Sequence, residues 1–355
     1  MKKLKHFLIY FTLGINLVAL AALYACCLIT HLNPAEYPKV SLVTLFFPII
    51  LGANLLFVVY WLLVRWKLTL VPLVGMAFCW TFIRSYVPLN SSRSVPQGAL
   101  SILSYNTRYW GQDGRMKDST NAVVEFLKQQ DVDVLCLQES GVCASFKALK
   151  QALEAKGYDS YEHSGQVIFA RLPIVSRDTL SFCHDGNGGV MAEVVWDGDT
   201  VLVVNYHFES NKLSTELKTA YQDALDSYHG DSIQKEMLPL LKLMAQAAPY
   251  RAAQVDSMAL LIDDQMPRSL VVCGDFNDTP VSYTIHTLTK QLTSAYTQSG
   301  CGLGFTFHER GFPVRIDHIL FDGATWQSHH TEILKDCSTS DHFAIRTFLS
   351  RKKNP

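Results

Sequence analysis

SLVVCGDFNDTP, residues 269–280, is the stretch on which the reading of this chain turns. Ser269 to Asp275 is a short apolar run that predicts a strand, and two polar residues, Asp275 and Asn277, sit at its end. In sheet enzymes the strand ends and the loops after them carry the chemistry. Alone, Asp-Phe-Asn is as readily an ordinary turn. The pattern recurs, however. ALSILSYN (99–106) ends on Asn106, and VDVLCLQ (132–138) is followed by Glu139. TVLVVNYH (200–207) ends on His207. RIDHILF (315–321) carries Asp317 and His318, and Asp341 and His342 lead into FAIRTFL (343–349).

Further strands are predicted at QVIFA (166–170) and VMAEVVW (190–196), and helices at 117–129, 144–155 and most of 213–264, with a break near His229-Gly230-Asp231. Strands and helices alternate, with adjacent strand pairs in the middle, which predicts an α/β domain with a mixed sheet system. From residue 99 to residue 355 there is enough chain for one large core.

Working outward to the N-terminus, the composition changes. Of 355 residues 48% are hydrophobic and 18% charged, which excludes disorder. Residues 1–97 hold eight Lys/Arg and one acid, Glu36; residues 98–355 hold 23 and 31, so the net charge of −1 joins a +7 segment to a −8 segment. Phe7 to Thr30 and Leu42 to Val64 carry no formal charge over 24 and 23 positions, each long enough for a bilayer span. Leu68 to Ile83 is a shorter apolar run that extends to Val87 if Arg84 snorkels. The expectation is a transmembrane region over 1–90 with helices near 7–30, 42–64 and 68–87, a polar linker at 91–98 (SSRSVPQG), and a catalytic domain at 99–355. Lys2, Lys3, Lys5, Arg65 and Lys67 mark the cytoplasmic ends, so three spans put residues 98–355 outside and two would put them inside. The three-span reading is an integral protein of a bacterial inner membrane with an extracytoplasmic catalytic domain. A cleaved signal peptide is the rival reading of the first span, but its apolar stretch runs on to Thr30.

Carboxylate and amide oxygens are hard ligands suited to Mg²⁺ or Mn²⁺, and two His among several Asp and Asn suit phosphoryl chemistry. No Gly-x₄-Gly-Lys-Ser/Thr loop, G-x-S-x-G elbow or His-Glu-x-x-His motif is present. No CxxC or His/Cys spacing points to zinc. Cys136 and Cys273 read as buried hydrophobes, whereas Cys143, Cys183, Cys301 and Cys337 are available for pairing in an oxidising compartment.

SYN (104–106), LQES (137–140), NYHFES (205–210), GDFNDTP (274–280), RIDHILF (315–321) and SDHFAI (340–345) occur in the order found in the endonuclease/exonuclease/phosphatase family, which the soluble part resembles throughout. The resemblance implies a four-layer αββα sandwich, here preceded by an all-α transmembrane segment of about three helices, and one divalent-metal site taking Mg (or Mn). It implies Glu139 as principal metal ligand, with Asn106 beside it and Asp341 as a second metal-proximal carboxylate. By the same resemblance Asp275 deprotonates the attacking water, Asn277 orients it, His207 donates to a phosphate oxygen, and Asp317 with His342 holds the scissile phosphate. His318 and Arg171 read as structural, His184-Asp185 as a solvated turn or a substrate loop, and 213–248 as an insertion before the usual helix at Arg251 to Asp264.

The implied activity is phosphoric-ester hydrolysis of the phosphodiesterase or nuclease type. A phosphomonoesterase, or a sphingomyelinase-like enzyme acting on a lipid head group, is the alternative on the same site. A catalytically silent, membrane-held binding module is the alternative of another class. Nucleic acid and phospholipid head groups are both open as substrates, although the acidic balance of 98–355 argues against a general DNA binder. The bilayer is the other implied partner, and no protein partner is legible.

Overall fold

Along the apolar strands, odd and even residues enter different cores. In a computed structural model of the chain, Val201, Val203, Val271 and Cys273 pack with Ile102, Val134, Cys136 and Ile168 in one buried cluster. Their neighbours Leu202, Val204, Leu270 and Val272 face a second cluster with helix residues Val255, Met258 and Ile262. Leu103, Leu135 and Leu137 face a third with Val123, Leu127, Phe146 and Leu149. A strand buried on both faces reads as a continuous apolar run, and three such clusters separate four layers. The structure describes all residues except 1, 92, 112–120, 183–187, 214, 228–229, 266–268, 310 and 353–355.

The strands are β1 (Leu100–Asn106), β2 (Val134–Gln138), β3 (Asp159–His163), β4 (Gln166–Ala170), β5 (Ile174–Leu180), β6 (Gly189–Trp196), β7 (Asp199–Tyr206), β8 (Leu270–Asp275), β9 (Thr293–Ser294), β10 (Asp317–Phe321), β11 (Trp326–Leu334) and β12 (Ala344–Arg351). They form two six-stranded sheets, ordered β11-β12-β1-β2-β4-β3 and β5-β6-β7-β8-β10-β9. The expected αββα sandwich is therefore the fold.

Five helices precede the sheets: α1 (Lys2–Ile29), α2 (Pro38–Ser41), α3 (Phe47–Arg65), α4 (Leu70–Phe78) and α5 (Trp80–Tyr86). In the sandwich lie α6 (Ala122–Lys128), α7 (Ala144–Glu154), α8 (Thr215–Ser227), α9 (Gly230–Gln265), α10 (Tyr283–Leu288) and α11 (Ala295–Ser299). Asn121 caps α6 by accepting from the Val123 amide, and Ser282 caps α10 by accepting from Ile285. The expected insertion and the helix after it are one element: α9 runs through Pro239 and Pro249 without ending. The expected break falls between α8 and α9; His229, and the His184-Asp185 segment, lie outside the described residues, as does Cys183. The eight described cysteines are all free.

Lys3–Ile29 and Pro38–Phe78 are helical stretches long and apolar enough to cross a membrane. The second is not straight, because Arg65 leaves helical geometry (φ −159°, ψ 81°) before a 3-10 turn at Trp66–Thr69. The expected third helix is α4 and α5, separated at Cys79 (φ −98°, ψ 12°). Contacts of Asn16 with Trp61, Ala19 with Asn54 and Cys26 with Val43 make α1 and α3 antiparallel. Leu20 and Tyr24 of α1 meet Gly75 of α4. The helices are tied to the sandwich at one end. Asn33 donates to Asp256 (3.2 Å), Ser85 Oγ to the Pro280 carbonyl (3.2 Å), and Asn90 to the carbonyls of Thr297 and Gly300.

Candidate active site

Parallel pairing of β1 with β2 sets Asn106 opposite Gln138, so Glu139 follows at the same sheet edge. In the other sheet, antiparallel pairing of β8 with β10 sets Asp275 opposite Asp317. His207 follows β7, which runs parallel to β8. Gly274 makes this junction possible: it has φ +141°, and a Cβ there would lie 1.9 Å from the Tyr206 carbonyl oxygen. The loop before β12 brings Asp341 and His342 to the same place, held by Ser340, whose hydroxyl donates to the Asn106 carbonyl (2.8 Å) and accepts from the His342 amide (3.1 Å).

All eight sequence-selected residues thus gather around one point. Asn106 Nδ2 donates to Glu139 Oε1 (3.1 Å) and Asp275 Oδ2 (2.9 Å), bridging the two sheets. Its Oδ1 accepts from the Arg108 amide, which fixes the orientation of the side chain. His342 Nδ1 donates to Asp317 Oδ2 at 2.8 Å, leaving Nε2 3.7 Å from Asp275 Oδ2. His207 Nε2 lies 3.6 Å from Asp275 and 3.8 Å from Glu139. Asn277 works through its backbone: its amide donates to Asp275 Oδ1 (2.8 Å), while its side chain donates to the Phe208 carbonyl (3.1 Å). His207 Nε2 and Asp317 Oδ1 are buried without a hydrogen-bond partner. Glu139 and Asn277 hold φ near +50°, and Arg108, Tyr109 and Trp110 are also left-handed. Such backbone costs on the order of 1–3 kcal/mol each and concentrates where geometry serves a site.

Burial raises the pKa of Asp275, with the Asp317 charge adding to it and His342 and His207 opposing. Burial also disfavours a charged His342, but Asp317, Asp275 and Asp341 outweigh it and raise its pKa to about 10. Asp341 goes the other way: burial alone would raise it, but His342, Lys218 and Arg108 hold it below the ordinary carboxylate range.

Three residues were missed from sequence. Lys218 of α8 (3.1 Å) and Arg108 (3.4 Å) both reach Asp341, and Arg108 also pairs with Glu309 (3.4 Å). Arg108 lies two residues beyond Asn106, which was a usable signal; Lys218 lies in the insertion and Glu309 in an irregular loop, where nothing in the sequence marked them. His318 is buried and donates to the Asp278 carbonyl (3.0 Å), with its pKa pushed down to about 3 by burial and Arg315. Arg171 pairs with Asp131 (2.6 Å) and lies 3.7 Å from Asp133, away from the site.

Two carboxylates, an Asp–His pair and a second imidazole gathered at one end of a cavity that Glu139, Asp275 and His342 line can activate a water and hold a tetrahedral anion. Residues 103–342 match the family model described as the endonuclease/exonuclease/phosphatase family. The chain belongs to that family. Its N-terminal helices, residues 6–86, match a domain of unknown function (DUF8431). No curated protein matches the chain. Among solved structures it is similar to a family member from Bacteroides thetaiotaomicron (18% identity, 71% of this chain and 97% of that one, TM-score 0.51). It is also similar to sphingomyelinase C from Streptomyces griseocarneus (16%, 70% and 99%, 0.50) and to the human Nocturnin catalytic domain (14%, 73% and 97%, 0.51). At these identities the likeness is one of fold. Members of this family hydrolyse phosphoester bonds, and this site is consistent with that class of chemistry.

Proposed function

We propose that this protein is a membrane-anchored, divalent-cation-dependent phosphodiesterase. The observation that carries the reading is the Asp317–His342 pair aimed at Asp275, beside a His207 Nε2 and an Asp317 Oδ1 that are buried without partners. Asp275, Asp317 and His342 are a close grouping of possible ligand atoms, all within 4.8 Å of one another. The short His342–Asp317 bond already commits that imidazole to Asp317, so the cation is better assigned to Glu139, with Asp341 and Asn106 beside it. Glu139 is partly open to the cavity, and these residues offer the hard oxygens that Mg²⁺ or Mn²⁺ takes. The cation would supply charge neutralisation at the phosphate.

Asp275, its base strength raised by burial, takes a proton from the attacking water while the Asn277 amide holds the other carboxylate oxygen. The water oxygen bonds to phosphorus, the ester P–O bond breaks, and the alkoxide leaves to be protonated by solvent. His342, kept cationic by its three carboxylates, and His207 donate to the non-bridging oxygens, whose charge grows in the transition state.

Membrane anchoring is supported by the arrangement of the helices. Outward residues such as Leu63 and Phe78 are 83% and 79% exposed, whereas Asn16 and Asn54 are fully buried between helices. Three passes, α1, α3 and α4–α5, leave Lys3, Lys5, Arg65 and Lys67 at the end away from the sandwich, so the basic-inside rule puts the catalytic domain outside the cytoplasm. The test is hydrolysis of bis(p-nitrophenyl) phosphate by the full chain with titrated Mg²⁺. Asp275→Asn is expected to lower kcat by about 10²–10⁴ without changing the fold; full activity of that variant, or of the metal-stripped protein, sinks the reading.

A further inference from the structure

We propose, building on the hydrolase reading above, that the phosphoester is part of an amphiphile whose apolar chain lies between the membrane-helix ends and α9. A single cavity of about 1070 Å³ runs from Glu139, Asp275 and His342 to the N-terminal segment. That is the upper end of the size range for small-molecule sites, and far more than a phosphate and its cation fill. Its far wall has two sides. Leu42, Leu45, Phe46 and Ile49 come from the 3-10 turn Leu42–Phe46 and the start of α3, and Leu241 and Met244 come from α9. None of these six can take part in phosphoryl chemistry, and α9 supplies its share through the segment inserted before Arg251.

Charge is divided along the same axis. The described cations lining the cavity, Arg108, Lys212, Lys218 and Arg251, stand toward the phosphate end, and each already faces a carboxylate: Arg108 and Lys218 Asp341, Lys212 Glu209, Arg251 Asp278. A nucleic-acid strand extending from the scissile phosphate would need unpaired cations and stacking faces along its path. The far wall is aliphatic apart from Phe46, and each described Lys or Arg lining the cavity already faces a carboxylate. Aromatic side chains line the cavity elsewhere, Tyr109, Phe305, Phe307 and Phe312 among them, so the paired cations and the aliphatic far wall carry the distinction. The cavity also has an apolar exit, since Phe46 and Ile49 line it and are themselves exposed, Ile49 by 68%. The cavity wall therefore passes into the outward apolar surface of α3, the surface that the proposed anchoring places in lipid. An amphiphile entering from that surface meets the carboxylates with its head and keeps its chain among Leu45, Ile49 and Met244.

The test uses the full chain held in amphipol, so that no detergent competes for the cavity, with excess Mg²⁺. The substrates are p-nitrophenyl methyl, butyl, hexyl and octyl phosphates below their critical micelle concentrations, and a single-stranded oligonucleotide. The expected result is a kcat/KM that rises between about two- and fourfold per methylene, the range partial to full burial of a methylene gives. Leu45→Trp and Met244→Trp, one from each wall, are expected to collapse the octyl-to-methyl ratio. A variant that merely folds poorly lowers both rates and leaves the ratio alone, so the ratio separates loss of the chain site from loss of fold. A flat series, an oligonucleotide preferred to the octyl ester, or an unchanged ratio in both variants overturns the inference and leaves the hydrolase standing. Failure to turn over any of the esters removes the hydrolase and this inference with it.

Discussion

The helical segment and the sandwich differ in what they leave outside. In α1–α5 many large apolar side chains, Leu63 and Phe78 among them, point outward, while Leu23, Phe47, Leu51 and Met76 form an inner cluster beside two buried asparagines, Asn16 receiving the Trp61 indole and Asn54 reaching the Ala19 carbonyl. In the sandwich Val, Ile and Leu dominate three clusters while most charged residues sit outside or in the site, Arg315 and Asp322 being buried exceptions. On the proposed anchoring, one chain thus carries two solutions to the same problem, each matched to its solvent. Where water surrounds the chain, apolar burial drives packing; where lipid does, close approach and internal hydrogen bonds must do it. The interiors should then respond differently to the same kind of substitution.

The sharpest contrast is at glycine. Gly274→Ala forces a Cβ onto the Tyr206 carbonyl, backbone against backbone, and should cost more than about 4 kcal/mol, enough to prevent folding of the sandwich. Soluble yield and near-ultraviolet dichroism read this directly, and a folded, active variant would break the account of the β7–β8 junction. Next comes a buried amide. Asn205 donates to the Leu137 and Val167 carbonyls and accepts from Gln138, so Asn205→Leu strands three groups and should cost about 3 kcal/mol in denaturant melts of the full chain.

The third is a matter of pH. His318 titrates near 3 when folded and near 6.5 when unfolded, so the unfolded chain binds the proton first and stability falls as pH drops below 6.5. At pH 5 the loss should be about 2 kcal/mol, and His318→Gln, which keeps a donor for the Asp278 carbonyl, should remove that part of the acid limb. An unaltered limb would exclude His318 as its source. Asn54→Leu in the helices should cost only about 0.6 kcal/mol, since transmembrane hydrogen bonds are weak in net terms. A cost as large as that of Asn205→Leu would mean that the two interiors obey one rule after all. Smallest, Gly14→Ala and Gly52→Ala have nothing within 4 Å of the new Cβ and should stabilise their helices by less than about 1 kcal/mol, read as a small rise in Tm.

Legibility in the sequence followed burial. The eight strands recognisable from apolar runs are the interior ones, flanked on both sides in their sheets. The four that escaped, β3, β5, β9 and β11, are the four sheet edges. DSYEH, IVSRDTL and WQSHHTEIL mix polar residues into exposed rims, and TS is too short to signal anything. The site residues were legible for a related reason: each is a polar residue ending a run that had to be apolar. Lys218 and Glu309 lie on a helix face and a loop where a charge is the ordinary occupant, so only the fold singles them out, whereas Arg108 could have been found from its place two residues beyond Asn106. The expected division between an insertion ending at 248 and a helix starting at Arg251 followed the family resemblance, and it falls inside the single helix α9, which also tolerates Pro239 and Pro249.

Arg315 gives the molecule a fixed altitude. Its guanidinium, buried and stacked 4.2 Å from the centre of the Tyr296 ring, donates to the carbonyls of Leu303, Ser85 and Tyr86. It therefore fastens the end of the last helix to a point two residues from Asp317. With the Ser85 and Asn90 contacts, it ties the floor of the site to the helix ends at several points. Reach is then set by construction: a phosphate at the depth of the helix ends comes within range, whereas one held well above them does not. On the proposed anchoring, thinning or thickening the bilayer should shift the catalytic floor against the lipid head groups, and turnover should change with membrane thickness.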